Sequence, residues 1–213
     1  GEVTTEHHNQ SLVGLVYRLT TASPSFYDED DQPVAYHNLV SWPPDSARMI
    51  VKVLGLSFLV LLFWSSRANL APRPQTRLAA EYALVILGML LFSERTWKHH
   101  CVTLVLPIGL LCYLLTAWPM PRWHRFTLGA ALASSFLLMS TTSTSLTSAL
   151  GLGKHAAKLA QAYGAYVWAE LLLLGATVFV LRRHLWSKSV SLPVGKINFP
   201  AAGEASGRPS EAA

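Results

Sequence analysis

The sequence predicts an all-α protein: a polytopic transmembrane helix bundle of about five spans, preceded by an N-terminal exoplasmic interfacial helix and loop. Three observations lead there. Of the 213 residues, 51% are hydrophobic and only 14% charged, against roughly 25% charged in soluble domains. The apolar residues gather in long runs, and a spanning helix needs about 20 of them. The cations lie scattered between those runs. That distribution excludes the basic stripe of a nucleic-acid binder despite the net charge of +5.

Residues 1–46 read as an exoplasmic helix and loop. "SLVGLVYRLTT" is apolar at Leu12, Val13, Leu15, Val16 and Leu19, the pattern of a short helix lying on a membrane surface. "SPSFYDEDDQPVAYHNLVSWPPD" is turn-rich and ends in two prolines, so it reads as a loop. Its acids Asp28, Glu29, Asp30 and Asp31 read as solvated. Residues 47–185 hold five apolar segments, at 47–64, 78–92, 102–118, 126–151 and 158–181. The second is short for a span. Residues 186–213, rich in Ala, Ser, Gly and Pro, read as a disordered cytoplasmic tail. The opening GEVTTEHH has neither Met nor a charged-then-apolar leader, the start expected of a piece of a longer chain.

Arg67, Arg73 and Arg77 follow the first segment, Arg122 and Arg125 the third, and Arg182, Arg183, Lys188 and Lys196 the fifth. The positive-inside rule makes these regions cytoplasmic. The N-terminus, "SERTWKHH" (93–100) and the 152–158 connection then lie on the exoplasmic side of a multi-pass cell-membrane protein, with the C-terminus cytoplasmic. Cys101 and Cys112 share a helical face about 16 Å apart, beyond disulfide reach, and read as small packing residues.

"SERTWKHH" concentrates charge between two apolar runs. One reading is an interfacial belt, with Trp97 among headgroups and Arg95 and Lys98 on lipid phosphate. Glu94, His99 and His100 are not belt residues, which leaves a binding role open. His7 and His8 fall on the same side. Four histidines invite a zinc reading, but adjacent pairs lack the spacing of a metal motif, and no metal or cofactor is expected. Asn9 and Gln10 suit sugar hydroxyls or the cap of a helix starting near Ser11. Glu170 lies near the middle of the fifth segment, where a carboxyl faces inward. Ser134, Thr141, Ser145 and Ser148 form one helical face that could receive it. Glu81, four residues from Arg77, reads as half of an interfacial ion pair.

"HHNQSLVGLVYRL" and "LLFSERTWKHHCVTLVLP", taken together, resemble the C-terminal half of glycosyltransferase family 87, integral membrane enzymes of the C-type glycosyltransferase fold. The resemblance covers roughly residues 5–185. It implies a hexosyltransferase using a polyprenyl-phosphate sugar, typically mannose, as donor and a glycolipid or glycan as acceptor. It also implies a general base upstream of this chain, in an N-terminal half of the same protein, without which these residues would be inactive. His8, Asn9, Gln10, Glu94, Arg95, Trp97, Lys98, His99 and His100 become candidate substrate-binding residues, the cations facing the donor phosphate. Two other classes stay open: a small membrane transporter, with Glu170 and the Ser/Thr face lining a path, and a non-catalytic structural membrane subunit.

Overall fold

The computed structural model describes residues 3–27, 30, 32–67 and 75–183. The proposed tail, Arg73, Lys188 and Lys196 fall outside these, as do Asp28, Glu29 and Asp31; Asp30 is exposed.

Helix α1 (Leu12–Thr20) begins where Ser11 Oγ accepts the Gly14 N–H at 3.0 Å, the bond that makes Ser a good N-cap. Its apolar stripe is turned toward the bundle. Val13 and Leu15 are buried, and the helix packs against α2 (Pro44–Ser66) and α3 (Gln75–Phe92). The expected loop at 23–45 contains a hairpin: β1 (Pro24–Tyr27) pairs antiparallel with β2 (Pro33–Tyr36). Ser25 and Phe26 point inward from it, so it is a packed flap.

Helix α2 opens on Pro44, whose missing N–H has no helical partner to lose. Met49, Val53, Leu56 and Phe63 stand exposed along it, as on a helix that meets lipid. Helix α3 runs a full 18 residues; the second segment is therefore long enough to span. Arg77 belongs to its first turn rather than to the preceding connection, and its Nε donates to Glu81 Oε1 at 2.7 Å. Both residues are buried. The pair expected at an interface is inside the bundle.

A 3₁₀ turn (His100–Leu104) leads into α4 (Val105–Ala117). Pro107 sits in the first turn of α4, where a proline costs no interior hydrogen bond. Then come α5 (Arg122–Ser140), α6 (Thr144–Ala149), α7 (Gly153–Ala162) and α8 (Ala165–Arg183). The fourth apolar segment thus divides. In "STTSTS" the hydroxyls compete for backbone groups, and Ser143 Oγ caps a new helix by accepting the Leu146 N–H. The fifth segment divides at Gly164, whose φ of +75° is costly for any residue with a Cβ.

Leu84, Leu87, Leu91, Leu111, Leu114, Leu128, Leu173 and Leu181 form the core, with α8 against α3, α4 and α5. Among the described residues four helices are long and apolar enough to cross a membrane: α2, α3, the 3₁₀ turn with α4, and α8. This is a membrane protein. The fourth expected segment, α5, opens with Arg122, His124 and Arg125 and so falls short of that composition, yet its 19 residues carry the chain back to the polar loop, where Lys98 Nζ donates to Thr142 O just past its end.

Candidate functional site

One end of the bundle gathers the polar side chains. Residues 3–11 form a hook stitched to the "SERTW" loop by a single asparagine. Asn9 Oδ1 accepts the Thr96 N–H at 3.0 Å and the Ser11 N–H at 3.1 Å. Its Nδ2 donates to Glu94 O at 2.9 Å and Thr4 O at 2.8 Å. The Gln10 N–H donates to Thr96 O at 2.6 Å, and Gln10 Nε2 to His7 O and, at 3.1 Å, to Gln161 O. Asn9 and Gln10 are therefore buried and committed to backbone, not presented to a sugar. The two sequence stretches do meet, but through their frames.

Arg18 locks the hook to the far side. It is fully buried. Nε donates to Ala162 O at 2.6 Å, Nη1 to Glu6 O at 2.8 Å and to Thr5 O and Asn9 O at 3.2 Å, and Nη2 to Gln161 O at 3.3 Å. Burial pulls its pKa down to about 10. In the sequence Arg18 is a lone cation in the apolar stretch "SLVGLVYRLTT", with nothing beside it to mark this role.

Beneath this hook, between α1, β1 and the start of α2, lies a cavity of about 880 Å³. Three cations line it, Arg48, Lys52 and Arg95, together with Glu6, Glu94, Tyr17 and Tyr27. Of the nine candidate substrate-binding residues only Glu94 and Arg95 reach it. Arg48 and Lys52 were missed. A signal existed: two cations four residues apart, on one face at the N-terminal end of the first span, where the positive-inside rule expects few.

The rest of the loop turns elsewhere. Lys98 Nζ donates to Thr142 O at 2.9 Å, at the α5–α6 break, and burial lowers its pKa. His100 Nδ1 accepts the Trp97 N–H at 3.1 Å, closing the turn, and does not face inward. His99 packs edge-on to His100, ring centroids 4.2 Å apart. Trp97 stacks with His8 at 6.4 Å.

A second cluster surrounds Phe26. His7 lies 4.5 Å and His37 4.9 Å from its ring, with His155 at 6.5 Å. His37 Nδ1 meets Ser25 Oγ at 2.6 Å. Burial lowers the His37 pKa, helped by the charges of His155 and Arg18. His7 is only 6% exposed, and neither ring nitrogen has a hydrogen-bond partner. Its pKa falls to about 4, through burial and then the charge of His8, with the nearby Ser25 carbonyl opposing. Ligand atoms of Glu6, His7 and His8 lie within 4.8 Å of one another, so these three side chains could hold a metal ion, a group that does not include His99 or His100.

Glu170 is the sixth residue of α8, about 8 Å from its start, so it lies below the loop and not at mid-span. It is fully buried. Cys101 Sγ approaches Oε1 at 3.7 Å, and Oε2 has no partner. The Ser134, Thr141, Ser145 and Ser148 face expected to receive it does not form, because the helix breaks at 141–143 and all four residues are exposed. Ser135 is the hydroxyl that turns inward, donating to Ala169 O at 3.1 Å. Glu170 and those four hydroxyls therefore do not share one face.

No family model, curated protein or solved structure matches the chain.

Proposed function

We propose that this chain supplies the donor-phosphate side of a polyprenyl-phosphate-sugar-dependent glycosyltransferase, working at the exoplasmic face of the cell membrane and transferring mannose. The observation that carries the reading is the cavity lined by Arg48, Lys52 and Arg95 together with Glu6 and Glu94. It lies beside α2, whose exposed apolar side chains offer a track for a lipid tail. Fixed cations favour a phosphate and the negative charge that grows on it as the sugar departs. Carboxylates and tyrosine hydroxyls suit sugar hydroxyls. The resemblance of "HHNQSLVGLVYRL" and "LLFSERTWKHHCVTLVLP" to glycosyltransferase family 87 supports the same donor. The acceptor is a glycolipid or glycan.

The test has two parts. Purified protein in lipid nanodiscs should bind polyprenyl-phosphate mannose, and Arg95→Ala or Lys52→Ala should weaken binding about 10- to 100-fold, the size of a charged hydrogen bond. In membranes that carry out the transfer, the same changes should slow it roughly 30- to 1000-fold, about 2–4 kcal/mol. His99→Ala, outside the cavity, should do neither. Unchanged binding in both cavity variants would remove the reading. Reporter fusions after Lys154 and after Lys188 check the orientation, reading exoplasmic and cytoplasmic respectively.

A further inference from the structure

We propose that Glu6, His7 and His8 form a binding site for a divalent transition-metal cation of the zinc class. The inference goes beyond glycosyl transfer and stands whether or not the chain transfers a sugar.

The donor set is one carboxylate and two imidazoles, the combination that borderline divalent cations take. The metal lies about 2.0–2.1 Å from each such ligand, so ligand atoms in a tetrahedral site are roughly 3.4 Å apart. Glu6 Oε1 and His8 Nε2 are 3.7 Å apart, close to that spacing already, and all three ligand atoms fall within 4.8 Å. Modest rotations of exposed side chains close the remainder. His8 is half exposed and Glu6 about one-third, which leaves a route from solvent and a free coordination position.

His7 is the independent observation. Buried polar atoms are nearly always hydrogen-bonded, yet neither nitrogen of this buried imidazole has a partner at hydrogen-bond geometry; the Ser25 carbonyl close to the ring already accepts the His7 main-chain N–H at 2.9 Å. A bound cation would satisfy one of the two nitrogens. Consecutive residues reach a common point here because the backbone turns sharply: the Asn9 N–H donates to Glu6 O at 2.9 Å, closing a tight turn over residues 6–9. That is why the usual ligand spacings of helices do not apply.

The frame is also held. Arg18 binds Glu6 O, Gln10 Nε2 binds His7 O, and the His7 N–H donates to Ser25 O at 2.9 Å. Ligands on a fixed backbone lose less freedom on binding a metal. Opposing the site are the positive charges of Lys158 and Arg18 acting on His7. The Glu6 carboxylate is the ligand that offsets them, which makes it the sharpest residue to remove.

The experiment is zinc binding to the purified protein in detergent, stripped with chelator and titrated with zinc chloride by calorimetry at pH 7.5. One zinc per chain should bind saturably. Glu6→Gln and His8→Ala should each weaken it at least about tenfold, the lower end for disturbed metal sites. His155→Ala, in the same aromatic cluster but outside the trio, should leave it unchanged. X-ray absorption of the loaded protein should report nitrogen and oxygen ligands, two of them imidazole. Both altered side chains are partly exposed, and matching unfolding temperatures without zinc establish that the variants are folded. Absence of saturable binding, binding indifferent to Glu6→Gln and His8→Ala, or a sulfur ligand from a cysteine would each overturn the proposal.

Discussion

Two buried arginines stand at opposite ends of the bundle and are held by different means. Arg77, at the start of α3, pairs with Glu81 one turn away and reaches Ser66 O at 3.3 Å. Arg18, under the N-terminal hook, donates to five main-chain carbonyls from two stretches of chain, the hook itself and the end of α7. The first end is neutralised by a local side-chain partner. The second is organised around a cation whose hydrogen bonds go to backbone, and it is this end that carries the cavity and the histidine cluster. A guanidinium suits that task because its fork of donors has fixed geometry. The lesson is that the apolar helices set the scaffold while one polar residue sets the shape of the site end.

The comparison is broken most severely at Arg18. Arg18→Met should destabilise the protein by about 3–5 kcal/mol, the cost of leaving buried polar partners unpaired, measured by unfolding in detergent. Hydrogen exchange at His7–Gln10 should rise with it. No second substitution can restore the loss, because main-chain carbonyls cannot be mutated away.

Glu81→Gln should cost about 2–4 kcal/mol by stranding the Arg77 charge. Here a rescue exists. Arg77→Met combined with Glu81→Leu should recover most of the loss, since apolar replacement of a buried pair is often neutral. A double variant no better than Glu81→Gln alone would show that the two arginines are held alike after all.

Gly164→Ala should cost about 1–3 kcal/mol. Its φ is +75°, and a Cβ there would meet the Leu15 side chain at 2.6 Å. The change presses on the α7–α8 joint, whose carbonyls Arg18 binds, so it should weaken the hook end selectively by hydrogen exchange.

The smallest effect is in pH. The His37 pKa lies below 6.5 in the folded protein, so below pH 6.5 the unfolded chain binds the proton more readily and stability falls as pH drops. His37→Phe should flatten the slope of unfolding free energy between pH 6.5 and lower values. An unchanged slope would assign the acid sensitivity to other histidines.

Much of the scaffold was legible because its rules are local. Apolar run length located α2, α3, α4 and α8, a cap was expected at the start of α1 (from Asn9 or Gln10, though Ser11 supplies it), and four-residue spacing announced the Arg77–Glu81 pair. The same rules failed where two local signals conflict. Hydropathy alone joined 126–140 to the hydroxyl-rich 140–151, and carried the fifth segment through Gly164. For the site, "SERTWKHH" correctly marked the polar end but only Glu94 and Arg95 reach the cavity.

By itself, then, the sequence determined which segments are apolar helices and which end of the molecule is polar, because composition, period and capping act over a few residues. The tertiary structure alone decided what those polar residues touch. Asn9 and Gln10 face backbone rather than ligand, Arg18 clasps carbonyls 143 and 144 residues away, and Arg48 and Lys52 join Arg95 across a cavity. Every residue carries a carbonyl, so a bond to one leaves no pattern in side-chain order; only the packing of distant segments selects it.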